Sequence, residues 1–202
     1  MLLFFYILAL WNTRRYPDRP ELKSNPESGR YHIIYRLADK NDLPRLLSMV
    51  EQAKESFRAR GIDQWQKGDP DGPGLLAAIG QKTVHVLDEE GQAIGMITVV
   101  RGPEASYKDI DGAWLNDGPY AAFHRVCVEE SRKGQGLAAR LFAESEDHVR
   151  ARGLHNVRID THPDNLSMQH ALEKSGYRLC GSLILQEGTE KGDPRLAYHK
   201  VL

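Results

Sequence analysis

The 202-residue sequence predicts an α/β fold of the mixed α+β kind: a central, mostly antiparallel sheet with helices on both faces. Three observations carry this expectation. Apolar, β-branched runs bounded by turn residues recur along the chain. Two of them flank a tight turn, and the C-terminal half alternates such runs with stretches whose apolar residues follow a helical period. Antiparallel strands come first and a β-α-β-α-β succession follows, so the sheet is mixed.

Taken in order, Tyr31–Leu37 (YHIIYRL) is the first strand. Asn41-Asp42 followed by Pro44 opens a helix, as caps and first-turn prolines do, and Leu43, Leu46, Leu47, Val50, Ala53 and Phe57 share one face of it until Gly61. Asp69 to Gly74 is a loop on its turn chemistry, with a short helix around Leu75–Ile79 after it. Thr83–Leu87 and Ala93–Val100 flank Asp88-Glu89-Glu90-Gly91-Gln92 and make a hairpin. Tyr120–Val128 (YAAFHRVCV) is a third central strand. Leu137, Leu141, Phe142, Val149 and Ala151 mark a helix from Gly136 to about Arg152, stopped by Gly153. Asn156–Thr161 is a strand and Asn165–Ser175 a helix ended by Gly176. A closing strand from Tyr177 to about Leu185 pairs with Arg195–Val201.

Composition narrows the function. Lys plus Arg number 27 and Asp plus Glu 28, a net charge of −1 without the basic footprint of a nucleic-acid binder, so no nucleic-acid partner is expected. Two cysteines make neither a disulfide framework nor a thiolate zinc site, and both suit a reducing cytoplasm. The histidines show no HExxH-like spacing, so no metal is expected. Met1–Trp11 is apolar throughout, but a spanning helix needs about twenty such residues, and the features of a signal peptide are missing. Residues 1–30 are therefore expected to be an extension outside the fold, residues 31–202 the domain, with no stable membrane association; a helix packing on the domain or a partner, or a membrane anchor, is the alternative for the apolar run.

The most informative stretch runs from Val126-Cys127-Val128 through Lys133-Gly134-Gln135-Gly136 into Leu137-Ala138-Ala139. A strand feeds a glycine-bearing loop that opens directly into a helix, which turns main-chain N–H groups and the positive helix end toward one point. That suits a pyrophosphate, with Arg132 and Lys133 adding charge; a plain structural turn is the alternative. Gly134-x-Gly136-x-x-Ala139 also matches a dinucleotide-binding fingerprint, with Asp160 at the end of the next strand. Against that, Glu129 to Lys133 separate strand from glycine, and too little chain follows for a second half-sheet.

The runs HRVCVEESRKGQGLAARL and RIDTHPDNLSMQHALEKSGY, with the strand order, resemble the GNAT superfamily of acyl-CoA-dependent N-acetyltransferases across residues 31–202. Its Arg/Gln-x-x-Gly-x-Gly/Ala loop corresponds to Lys133-x-x-Gly136-x-Ala138, with lysine in the first position. The resemblance implies that Val126, Cys127 and Val128 pair with a pantetheine arm, that Gly134, Gln135, Gly136, Leu137, Ala138 and Ala139 wrap the pyrophosphate of acetyl-CoA, and that the strands Tyr120–Val128 and Asn156–Thr161 splay apart. It also implies that Asn165 contacts acetyl-CoA, though an asparagine there equally caps its helix. Where relatives often carry a tyrosine acid seven residues after that asparagine, this chain has Leu172.

The implied reaction is acetyl transfer from acetyl-CoA to a primary amine by direct attack in a ternary complex; no Gly-x-Ser-x-Gly elbow suggests an acyl-enzyme. An amine of pKa about 10 must first lose a proton. His124, on the strand beside the acyl slot, is the expected base, with Glu129 and Asp160 in reserve; a histidine merely satisfied within the sheet is the alternative. A main-chain N–H near Val128 is the expected partner of the thioester oxygen. Ile62 to Trp65, with Gly68 to Pro70, is expected to wall the acceptor site, and Trp114 with Asp117 to Tyr120 lies at the entrance of the third strand. Aromatic surfaces with acids suit a cationic amine, of a small molecule or a protein, although both tryptophans serve equally as anchors for long loops. Loss of the tyrosine leaves a second reading, a non-catalytic acyl-CoA-binding module or sensor; a homodimer is compatible with either.

Overall fold

The structure is a computed structural model and describes residues 32–202; the expected extension lies outside them. Strand β1 (Ile33–Leu37) leads into helix α1 (Leu43–Ala59), with Pro44 in its first turn. The Asp42 side chain does not cap this helix as expected. Its carboxylate accepts the Asp39 amide at 2.8 Å and the Arg36 guanidinium at 2.7 and 2.8 Å, tying β1 to the start of α1. Helix α2 (Gly72–Gly80) begins inside the stretch expected to be loop, because Asp71 caps it by accepting the Gly74 amide at 2.7 Å. Strands β2 (Val84–Glu89) and β3 (Gln92–Arg101) form the expected hairpin, turning through Glu90 and Gly91 at positive φ of 53° and 85°. Strand β4 (Asp111–Gly112), too short to show a period, lies in a stretch to which the sequence reading gave no element. Then follow β5 (Ala121–Val128), α3 (Leu137–Ala151), β6 (Asn156–Thr161), α4 (Leu166–Lys174), β7 (Arg178–Ile184) and β8 (Pro194–Val201), all close to their expected bounds.

The strands form one mixed sheet in the order β1-β2-β3-β5-β6-β8-β7-β4, in which β5 and β6 are parallel and the other pairs antiparallel. Helices α1 and α2 bury Leu46, Met49, Val50 and Leu75 against Val84, Val86 and Met96 on one face. On the other face, α3 and α4 bury Leu141, Phe142 and Leu172 against Ile97, Val99, Phe123 and Ile159. Each such fully buried side chain contributes about 1.5–3 kcal/mol of transfer free energy. A third cluster, Tyr107, Tyr120, Ala122, Leu183 and Ala197, lies with Trp114 against the β8 end of the sheet. Among the described residues no helix is long and apolar enough to cross a membrane.

The sheet is zipped everywhere but at its centre. Strands β5 and β6 pair only through Ala121↔Val157, Ala122↔Arg158 and Phe123↔Ile159, although β5 continues to Val128 and β6 to Thr161. A bulge on the other edge of β5 accounts for the divergence. Between the pairs Met96↔Cys127 and Thr98↔His124, Arg125 and Val126 oppose Ile97 alone, and Arg125 takes a left-handed φ of 51°. An extra residue in one strand bends it and re-aims its side chains.

Candidate active site

Beyond the bulge, β5 passes through a tight turn at Glu130–Arg132 into Lys133, Gly134, Gln135, Gly136 and α3. Gly134 and Gly136 have φ of 79° and 78°, and a Cβ on either would meet no heavy atom within 4 Å. No side chain caps Gly136, and the first main-chain bond of the helix runs from the Arg140 amide to the Gly136 carbonyl at 3.0 Å. Among the described residues, the amides from Gly134 to Ala139 therefore meet no protein acceptor. This open cradle of N–H groups at a positive helix end fits a pyrophosphate. Arg132 braces the loop: it grips Glu89 at 2.5 and 2.9 Å and holds the Gln135 side chain at 2.9 Å. Lys133 pairs with Glu130 and lies 3.4 Å from Ser56 Oγ.

A cavity of about 470 Å³ opens at this mouth. Val126, Cys127 and Val128 of β5 form one wall; Lys133, Gly134, Gly136, Leu137 and Ala138 form the end; Asn165 and Met168 of α4 close the far side. Gln135 is turned to Arg132 and Ala139 is exposed, and neither side chain lines the cavity. The Cys127 thiol is pushed up to about 12 by burial, which suits the core role expected of it. Leu172 is fully buried in the core between α3, α4 and the sheet and brings no proton to the gap.

A second cavity, of about 430 Å³, shares Phe57, Val126, Asn165 and Met168 with the first, so the two meet where β5 and β6 part. Side chains of scattered origin line it. His124 Nε2 lies 3.7 Å from Glu104 Oε1. Burial pushes the Glu104 carboxyl up, but contact with His124 prevails and holds it below the ordinary range. Asp160 accepts the Tyr107 hydroxyl at 2.7 Å and lies 3.6 Å from Nε of the fully buried Arg195, which donates to Glu190 at 2.8 Å. Burial and the Asp160 charge raise the Tyr107 hydroxyl well above its ordinary value. Glu190 also accepts the amide of Trp65, whose ring lines the cavity and meets Phe57 edge-on at 5.6 Å. Asn165 caps α4 by accepting the Met168 amide at 3.3 Å while its own amide donates to Gln64 at 3.0 Å.

The family model described as the acetyltransferase (GNAT) family matches residues 46–177. A GNAT-family acetyltransferase structure from Streptococcus agalactiae is 30% identical, with a TM-score of 0.75 over 86% of this chain and 99% of that one. YncA from Salmonella typhimurium, solved with its cofactor acetyl-CoA, is 17% identical with a TM-score of 0.59 over 85% and 94% of the two chains. YesJ of Bacillus subtilis, an uncharacterized N-acetyltransferase, is 23% identical over 146 residues, 70% of this chain and 79% of the relative. The chain belongs to the GNAT acetyltransferase family.

Within that GNAT frame the expected residues separate. His124 and Asp160 line the second cavity, and Asp160 already has partners on both oxygens. Glu129 lines neither cavity: it pairs with Arg45 and accepts from Gln52 at 3.2 Å, fastening the end of β5 to α1. Trp114 packs with Tyr107 and over the Arg158 guanidinium at 4.3 Å, an anchor for its loop outside the cavity wall. Sequence reasoning missed Glu104, Arg125, Arg195 and Glu190, which line the cavity. It also missed the buried hydroxyls of Thr98 and Thr161, which line it without a partner among the described residues. Only the bulge places Arg125 beside His124 on the wall, and no local pattern announces it. Among the described residues no cluster of three His, Cys, Asp or Glu side chains is placed to hold a metal ion.

Proposed function

We propose that the protein transfers an acetyl group from acetyl-CoA to a primary amine by direct attack in a ternary complex. The observation that carries this reading is the meeting of two cavities at one break in the sheet, one ending in open main-chain amides and the other holding an imidazole. The acetyl-CoA in the complex of YncA agrees with it. Acetyl-CoA, when bound, supplies an electrophilic thioester carbonyl. The free edge of β5 at Val126–Val128 offers main-chain groups to a pantetheine arm, and the amides from Gly134 to Ala139 hold the diphosphate. Asn165, at the junction, spans both sides.

His124 accepts the proton of the amine, with Glu104 beside it to orient the imidazole and hold the positive charge it gains. It is preferred to Asp160, whose oxygens are engaged, and to Glu129, which lies outside both cavities. A main-chain N–H near Val128 meets the carbonyl oxygen as it gains charge. The thiolate leaves without help from residue 172, which a leucine occupies. The two unpaired thiols and the want of a spanning helix among the described residues suit work in the cytoplasm.

Release of CoA in the presence of an amine panel tests the reading. Turnover that collapses in His124→Ala supports it. Tight acetyl-CoA binding with no turnover, indifferent to His124→Ala, favours the non-catalytic acyl-CoA-binding module to which Leu172 points.

A further inference from the structure

The geometry points to a class of acceptor, given acetyl transfer at this site: a small amine that also carries a carboxylate, with Arg125 binding that carboxylate. In a regular strand Arg125 would face away from His124, since side chains alternate. The bulge and the left-handed φ of 51° place both on the wall of the acceptor cavity. A bulky residue rarely adopts that conformation, which persists only where its surroundings hold it.

Among the described residues the cavity has one unpaired cation, Arg125, and two carboxylates at its outer part, Asp69 and Glu187, that meet no cation. Asp160 and Glu190 share the buried Arg195, and Glu104 faces His124. Asp69 accepts the Thr189 hydroxyl at 3.3 Å, and Glu187 is exposed at the rim. The half-buried Arg125 guanidinium has no ion pair or hydrogen bond among the described residues. Thr98, opposite His124 in the β3–β5 register, adds a buried hydroxyl that is likewise unpartnered. A guanidinium forks onto a carboxylate through two parallel hydrogen bonds. It repels a second ammonium. The cavity is thus matched to a zwitterion rather than to a diamine: the acceptor's carboxylate on Arg125, its amine toward His124.

Steady-state CoA release from the full-length protein tests this. α-Amino acids, β-alanine and γ-aminobutyrate are each compared with the matching carboxamide and with the amine lacking the carboxylate. At least one carboxylated amine is expected to exceed its carboxamide in kcat/KM by about tenfold or more, the worth of a charge-assisted hydrogen bond. Arg125→Gln then raises KM for that acid by a similar factor, leaves kcat nearly unchanged and does not move the carboxamide; Arg125→Lys lies between. Should the glutamine variant not fold, Arg125→Gly, which tolerates the left-handed backbone, takes its place. The wild-type comparison stands without either. Carboxamides or simple amines used as well as the acids overturn the inference and leave acetyl transfer standing, as does a variant that slows all acceptors alike. A protein that releases no CoA with any amine overturns both.

Discussion

The two cavities that meet at Val126 and Asn165 are built by opposite means. The proposed cofactor side ends in a run of consecutive residues that works through the main chain: two glycines at φ near 80°, with the next amides turned outward at a helix mouth. The acceptor side is made of side chains from β3, β5, β6, β8 and three loops, held by an ionic network around the buried Arg195. The first depends on backbone shape and the second on side-chain identity, so they should fail under different substitutions. Gly136→Glu breaks the cofactor side. It puts a β-substituted residue at a left-handed position and a carboxylate where an anion is to sit. Acetyl-CoA affinity by calorimetry should fall by about a hundredfold or more, equivalent to about 2.7 kcal/mol, while the left-handed backbone lowers the melting temperature by only about 2–4 °C. Unchanged affinity sinks the loop assignment.

His124→Ala probes the other side. Loss of a general base lowers turnover by about 10²–10⁴-fold, while acetyl-CoA affinity should hold, because no cofactor-cavity wall includes His124. A variant that loses both properties together would erase the distinction between the two sides.

The same contrast explains what could be read from the sequence. The geometry of the loop proposed for the cofactor was legible because it is contiguous: a strand, glycines and a helix start within one short run. The hairpin, the order of later elements and the helix stop at Gly153 were legible for the same reason, since each rests on neighbours in sequence. Arg195, Glu190 and Tyr107 belong to three segments that only the sheet brings around Asp160, so no spacing announces them. Asp42 shows the limit even for local signals, its carboxylate being drawn from the expected cap by Arg36 and the Asp39 amide.

Acid acts on the fold beneath both sides, through buried histidines that line neither cavity. His199, whose Nδ1 accepts the Leu115 amide at 3.1 Å behind the Trp114 loop, is held down to about 4 by burial and the nearby Arg158 charge. His148 of α3 is held down to about 3 by burial and Arg152, and burial takes His85 well below its ordinary value. These folded-state values lie under the unfolded value of about 6.5, so the unfolded chain takes up protons first as pH falls. Stability is complete above pH 6.5 and declines toward pH 4, by at most about 1.4 kcal/mol per pH unit for each histidine. Thermal melts at pH 7 and pH 5 check the sign, and equal melting temperatures would count against it.

The smallest effect comes from Asn165, the residue at the junction. Its side chain has two separable tasks, accepting the Met168 amide as a helix cap and donating to Gln64 of the acceptor wall. Asn165→Ala removes both, for about 1 kcal/mol of lost capping and about 2–4 °C in melting temperature. Asn165→Ser keeps an oxygen that caps but has no amide to reach Gln64. Serine should therefore restore the melting temperature while the acceptor KM stays raised by a few-fold. If serine restores KM as well, the clasp on Gln64 has no part in shaping the acceptor side, and that wall stands on the Arg195 network alone.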